Sequence, residues 1–188
     1  MGLGLVDAAP GQMHGQFFAL WPDDALRRRI ASTAASLVSA HAPGGRSLKP
    51  DKYHLTLQFL GDFRPLPASR VDEAKAAAAA VRSPAFELAL DQVGSFRGAN
   101  VWWLGSQQVP AALRALYDAL GQSLARHRVP VKSAATFVPH LTVQRDVRRP
   151  IAPEPVPAVA WPVREFVLID SQPGGGTPYE VIGRWPLA

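Results

Sequence analysis

Apolar positions along the chain fall into short segments with two periods. Gln16 to Leu20 is a brief apolar run closed by Trp21-Pro22, which predicts a strand. Asp23-Asp24 opens a helical stretch to about Ala40, its carboxylates placed where a helix N-terminus favours negative charge. Pro43-Gly44-Gly45 breaks that helix. Residues 54–60 alternate and stop at Gly61-Asp62, a second strand, and Pro67 to Arg82 is Ala-rich and helical. Phe86 to Val93 and Val101 to Leu104 predict two strands joined by a hairpin-like Arg97-Gly98-Ala99-Asn100. Val109 to His127 carries apolar residues at 113, 116, 120 and 124, the spacing of an amphipathic helix. Pro139 to Arg145 reads as a strand. Arg148 to Pro162, with five prolines, reads as an extended connection inside the domain. Arg164 to Ile169 and Tyr179 to Arg184 are the last strands, joined by a flexible turn at residues 172–177.

This order predicts an α+β fold with a mainly antiparallel sheet. The chain also reads as roughly duplicated, because in each half a helix leads through a turn-rich stretch into a strand containing His. A length of 188 residues suits one domain, residues 15–188, after a loose tail at residues 1–14 in which Met13 is a second candidate start.

Composition narrows the chemistry. There is no cysteine, which excludes disulfides, thiolate zinc sites and a catalytic thiol. No apolar run approaches the roughly 18 residues of a membrane span, and the first ten residues lack the basic start of a secretory signal. The expectation is a soluble cytoplasmic protein with no membrane partner. The net charge is +5 and comes mostly from arginine, since Lys49, Lys52, Lys75 and Lys132 are the only lysines. Guanidinium groups suit a phosphate-bearing partner, although an arginine-rich genome explains the same bias.

The candidate chemistry lies in a repeated string. His54-Leu55-Thr56-Leu57 and His140-Leu141-Thr142-Val143 share one pattern. With only five threonines and five histidines in the chain, two such pairings rarely arise by chance. On a strand, residues i and i+2 share a face, so each His looks the same way as its Thr while Leu55, Leu57, Leu141 and Val143 face the core. Two histidines on one cleft suit phosphodiester chemistry: one takes a proton from the attacking water, the other gives one to the leaving oxygen. Thr hydroxyls can donate to the non-bridging phosphate oxygens. Arg145 is the candidate phosphate clamp. Strict alternation puts it on the wrong face, so it needs a twist or bulge at the strand end. Trp103 and Phe17 are candidates for base stacking, with core packing the stronger expectation for the tryptophans. Zinc patterns, a Walker A loop and a nucleophile elbow are absent, so neither a metal nor a cofactor is expected. His14, His41 and His127 read as solvated residues of a tail and two helix ends.

These strings resemble the 2H phosphoesterase superfamily. His54-Leu55-Thr56-Leu57-Gln58-Phe59-Leu60-Gly61 and Phe137-Val138-Pro139-His140-Leu141-Thr142-Val143-Gln144-Arg145 are similar to the two motifs of the RNA 2′,3′-cyclic phosphodiesterases, the LigT/ThpR branch. Phe17-Phe18-Ala19, residues 101–105 and Tyr179-Glu180-Val181 are similar to lesser signatures of that branch. The resemblance implies a bilobal fold of two pseudo-symmetric lobes with outer helices and a central cleft. It implies metal-independent hydrolysis of RNA 2′,3′-cyclic phosphate ends to 2′-phosphomonoesters, and reversible 2′–5′ RNA ligation in some members. It assigns His54 as proton donor, His140 as proton acceptor, and Thr56, Thr142 and Arg145 as phosphate contacts. Val138 stands where the family often has a basic residue, which implies a weaker hold on long RNA. The rival expectations are a phosphodiesterase for small cyclic nucleotides or cyclic ADP-ribose phosphate, and a non-catalytic nucleotide-binding module. A monomer is expected.

Overall fold

The computed structural model describes residues 13–64, 66–96, 98–132, 136–172 and 179–188. Its strands are β1 (His14–Leu20), β2 (Arg46–Ser47), β3 (Leu55–Phe63), β4 (Phe86–Phe96), β5 (Val101–Gly105), β6 (His140–Arg145), β7 (Glu154–Val163), β8 (Glu165–Ser171) and β9 (Glu180–Pro186). The helices are α1 (Asp24–His41), α2 (Ala68–Ala79) and α3 (Ala111–Arg126), with a short 3-10 turn at Pro50–Lys52. Asp23 caps α1 by accepting from the Leu26 amide, so the Asp23-Asp24 pair acts as the sequence predicts.

All strand pairs are antiparallel, and the sheet runs β7-β4-β5-β6-β3-β1-β8-β9, with β2 added on β6. The order has a centre. From β3 outward it reads β1, β8, β9, and from β6 outward it reads β5, β4, β7. The two four-stranded halves meet at one bridge, Leu55 opposite Leu141. An antiparallel pair carries a local two-fold axis, so the repeated motifs are placed as mates across it. The halves share one core on the helix side of the sheet, where Leu26, Ile30, Leu55, Leu57, Leu116 and Leu141 are all buried. No helix among the described residues is long and apolar enough to cross a membrane.

Two expectations are corrected. Residues 154–163 of the proline-rich connection form a strand, β7, paired along β4 from Phe86–Val163 to Val93–Glu154. It is an outermost strand of the sheet, where a proline's missing N–H leaves no ladder bond unmade, and its inward positions Val159, Trp161 and Val163 are buried. His14 is not part of a tail. It begins β1, and its Nδ1 lies 2.8 Å from Asp170 Oδ2. His41 lies 3.4 Å from Glu154, and His127 is hydrogen-bonded to the Ser123 carbonyl, so these two are also partnered. Residues 1–12 and most of the turn at residues 172–177 lie outside the described residues.

The break at Pro43-Gly44-Gly45 also positions the site. It releases the chain from α1 so that residues 43–48 lie antiparallel to residues 143–149. Arg148 and Arg149 donate to the Pro43 carbonyl, and Leu48 donates to the Val143 carbonyl. Gly45 has φ +77°, and a Cβ there would sit 2.2 Å from the Arg145 carbonyl oxygen. Gly45→Ala therefore combines left-handed strain with a backbone clash, and is expected to lower stability by about 2 kcal/mol or more. Urea denaturation of both proteins measures this, and a change within error would remove the steric argument.

Candidate active site

Each motif histidine sits at the mouth of its strand. His140 opens β6, and His54 immediately precedes β3. The two rings are held alike. His54 Nδ1 is 2.7 Å from the Lys52 carbonyl, and His140 Nδ1 is 2.7 Å from the Val138 carbonyl. A carbonyl only accepts, so Nδ1 carries the proton in both rings and Nε2 is left as the atom for chemistry. An aromatic ring buttresses each imidazole. Phe17 lies 4.8 Å from His54, and Phe96 lies 4.8 Å from His140, edge-on at 90°. Tyr179 adds a second edge contact to His54 at 5.5 Å.

The register explains how Thr and Arg join the histidines. In β3, Thr56 faces Ala19 and Gln58 faces Phe18, so Leu57 is an extra residue against β1. In β6, Thr142 faces Trp103 and Gln144 faces Trp102, so Val143 is an extra residue against β5. Each motif thus bulges at its fourth position, and a bulge reverses the alternation beyond it. Gln58 and Gln144 consequently turn to the core side. There their amides donate to the Tyr117 and Gly44 carbonyls. The next residues, Phe59 and Arg145, return to the histidine face. The bulge at Val143 is what lets Arg145, five residues after His140, share its face. Arg145 reaches far enough to act on His54 electrostatically, as does His140, and it also acts on Tyr179. His54, His140 and Arg145 therefore form one electrostatic cluster. Thr56 and Thr142, both half-buried, sit on the same face.

The other two sequence candidates are corrected. Trp103 and Phe17 lie on the histidine face but are 6% and 5% exposed, packed against Phe96 and His54 respectively. Trp103 covers Gly94, where a Cβ would lie 2.3 Å from the indole. Neither ring is free to stack on a base. Trp102 points to the core, with Nε1 donating to the Arg149 carbonyl, so the two tryptophans divide between faces as alternation requires. The open aromatic surface is elsewhere. A groove of about 340 Å³ runs beside His140, lined by Thr56, Phe59, Phe96, Phe137 and Val138, with Lys132 at its edge. These residues come from four separate segments, so no sequence period marks the groove. Beyond Thr56 and Val138, which the motifs single out, Phe59 carries a signal as the mate of Arg145 in the repeated string. Among the described residues no group of three His, Asp or Glu is placed to hold a metal ion.

Comparison with known proteins agrees with this arrangement. A profile of the 2′-5′ RNA ligase superfamily matches residues 22–175. An Escherichia coli (strain K12) protein named RNA 2′,3′-cyclic phosphodiesterase is 33% identical over 174 residues, covering 91% of this chain and 95% of that protein. A Geobacillus stearothermophilus protein of the same name is 31% identical, and this chain spans 57% of its length. The crystal structure of E. coli LigT complexed with 3′-AMP superposes with a TM-score of 0.75 at 31% identity, covering 95% of this chain and 99% of that one. The chain belongs to the 2′-5′ RNA ligase superfamily.

Burial is the main cause that pushes both site histidines below their ordinary value; His54 falls from 6.5 to about 4, with smaller lowering contributions from Arg145 and His140 included. Both rings are therefore neutral near pH 7 in the free protein, and the single proton a donor–acceptor pair needs is bound only in acid. We expect kcat/KM to peak below about pH 6.5, and kcat to peak at higher pH because a bound phosphate anion favours the imidazolium. Stability has the matching sign. The unfolded chain binds more protons between the folded and unfolded His values, so stability falls as pH drops from about 6.5 towards 4. His54→Gln should flatten that dependence in denaturant titrations at several pH values.

Proposed function

We propose that this protein hydrolyses RNA 2′,3′-cyclic phosphate ends to 2′-phosphomonoesters by metal-free acid–base catalysis. The observation that carries the reading is the pair of imidazoles with Nδ1 fixed on carbonyls, which leaves two Nε2 atoms on one face with Arg145 acting on that face. His140 Nε2 takes a proton from water as the water oxygen attacks phosphorus. The P–O3′ bond breaks, and O3′ takes a proton from His54. Thr56, Thr142 and Arg145 receive the charge gathered on the non-bridging oxygens. The terminal base lies in the groove beside His140, against Phe59 and Phe137.

The donor role of His54 follows from the resemblance, together with an electrostatic step on binding. The substrate phosphate beside Arg145 cancels the cationic field on His54 and raises its proton affinity. Ligation is the same step with the 5′-hydroxyl of a second RNA in place of water: its oxygen attacks phosphorus as His140 takes its proton, the P–O3′ bond breaks, O3′ takes a proton from His54, and a 2′–5′ linkage is left.

The reading is tested with a short oligoribonucleotide ending in a 2′,3′-cyclic phosphate, the product position being assigned by phosphorus NMR. His54→Ala or His140→Ala should cost about 10²–10⁴ in rate, and both together less than the product of the two losses. A substrate with an activated leaving group should rescue His54→Ala and not His140→Ala. Rescue of His140→Ala instead would reverse the roles. Prolonged dialysis against a strong chelator should leave the rate unchanged, and a loss restored by one divalent ion would refute metal-free catalysis.

A further inference from the structure

The charge of this molecule is gathered on one rim of the cleft. Residues 43–52 and 144–149 carry six cations, Arg46, Lys49, Lys52, Arg145, Arg148 and Arg149, against two carboxylates, Asp51 and Asp146. That excess accounts for most of a net charge of +5 over 188 residues. The fold lays the two segments side by side through the Arg46–Arg145 and Ser47–Gln144 pairs. Arg46 is directly opposite Arg145, an arrangement of like charges that costs energy across a strand pair. Asp146 compensates Arg46 at 2.8 Å through an exposed ion pair that contributes little. Arg46, Lys49, Arg148 and Arg149 are exposed, and Lys49, Arg148 and Arg149 pair with no carboxylate among the described residues. Gly44 and Gly45, both at positive φ, hold this strap against β6, so its cations ride on a fixed backbone.

We infer that this strap is the track for the phosphates of single-stranded RNA upstream of the cyclic phosphate. The inference rests on the proposed reading of the site. Arg145 joins the strap to the reacting phosphate, since it pairs with Arg46 in the strap and acts on His54 in the cleft. The aromatic groove leaves from the other side, past His140. A terminal nucleotide with its base in that groove sends its 5′-phosphate away from His140 and towards Arg46, Lys49 and Arg148. The strap is open, cationic and without aromatic rings, which suits backbone contacts that ignore base identity. It also answers the neutral Val138. The cation missing before His140 is supplied on the opposite rim.

The test compares a short oligoribonucleotide ending in a 2′,3′-cyclic phosphate with the cyclic mononucleotide, using Arg46→Ala/Lys49→Ala/Arg148→Ala. The triple variant should keep the wild-type kcat/KM on the mononucleotide and raise KM for the oligonucleotide about tenfold or more at low salt. The slope of log KM against log salt should shrink by about 2, from about 0.7 for each single-strand phosphate contact removed. Arg46→Lys/Lys49→Arg/Arg148→Lys should retain the wild-type slope. An unchanged oligonucleotide KM and slope overturns the track, and so does an equal loss on both substrates, which would assign the strap to site structure. Fluorescence anisotropy with an RNA ending in a 3′-phosphate separates the two readings. If the wild type hydrolyses neither substrate the function fails, yet a salt-dependent affinity that the triple variant loses still upholds the track.

Discussion

A single backbone bridge, Leu55 to Leu141, sets the geometry of everything in the cleft. Leu55 and Leu141 each follow a motif histidine by one residue. Pairing them antiparallel brings His54 alongside the strand bearing Thr142, and His140 alongside the strand bearing Thr56. Their side chains, buried in the common core, fix the register, since a slip of either strand by one residue would turn its leucine out of the core and its histidine into it. The hydrophobic core thus enforces the spacing of the polar pair on the opposite face.

The two halves are alike in backbone and unlike in chemistry. Both motifs bulge at the fourth position, both histidines give Nδ1 to the carbonyl two residues earlier, and both glutamines donate to a core-side carbonyl. Beyond the bulge one half places Phe59 and the other Arg145. That substitution splits a symmetric scaffold into an aromatic side and a cationic side. A nucleotide end is asymmetric in the same way, with an apolar base at one end and charged phosphates at the other.

The same asymmetry separates the two imidazoles. Arg145 adds its field to the desolvation of His54, so the histidines differ in proton affinity although their hydrogen bonds match. Two equal groups would share a proton without direction. Unequal groups give the proton a preferred partner.

Much of this was legible in the chain. Strand and helix periods located seven of the nine strands and all three helices among the described residues, because each buries one face and a face imposes a period; β2, two exposed residues, buries no face and imposes none. The repeated His-x-Thr string located the chemistry because a strand puts i and i+2 together. β7 was not legible, since its prolines mark a loop wherever a ladder bond is needed, and only its outermost place in the sheet removes that need. The phase of Arg145 was not legible either, because a bulge depends on the partner strand's register and leaves no local signature. Trp103 and Phe17 lie on the face the strand phase allows, yet Gly94, Phe96 and His54 close around them, so packing made them supports. The sequence by itself determined the elements, the paired motif and its direction within each strand, all local consequences of backbone geometry. The groove beside His140 and the cationic strap were decided only in the tertiary structure, because each is assembled from segments far apart in the chain that only strand pairing and helix packing bring together.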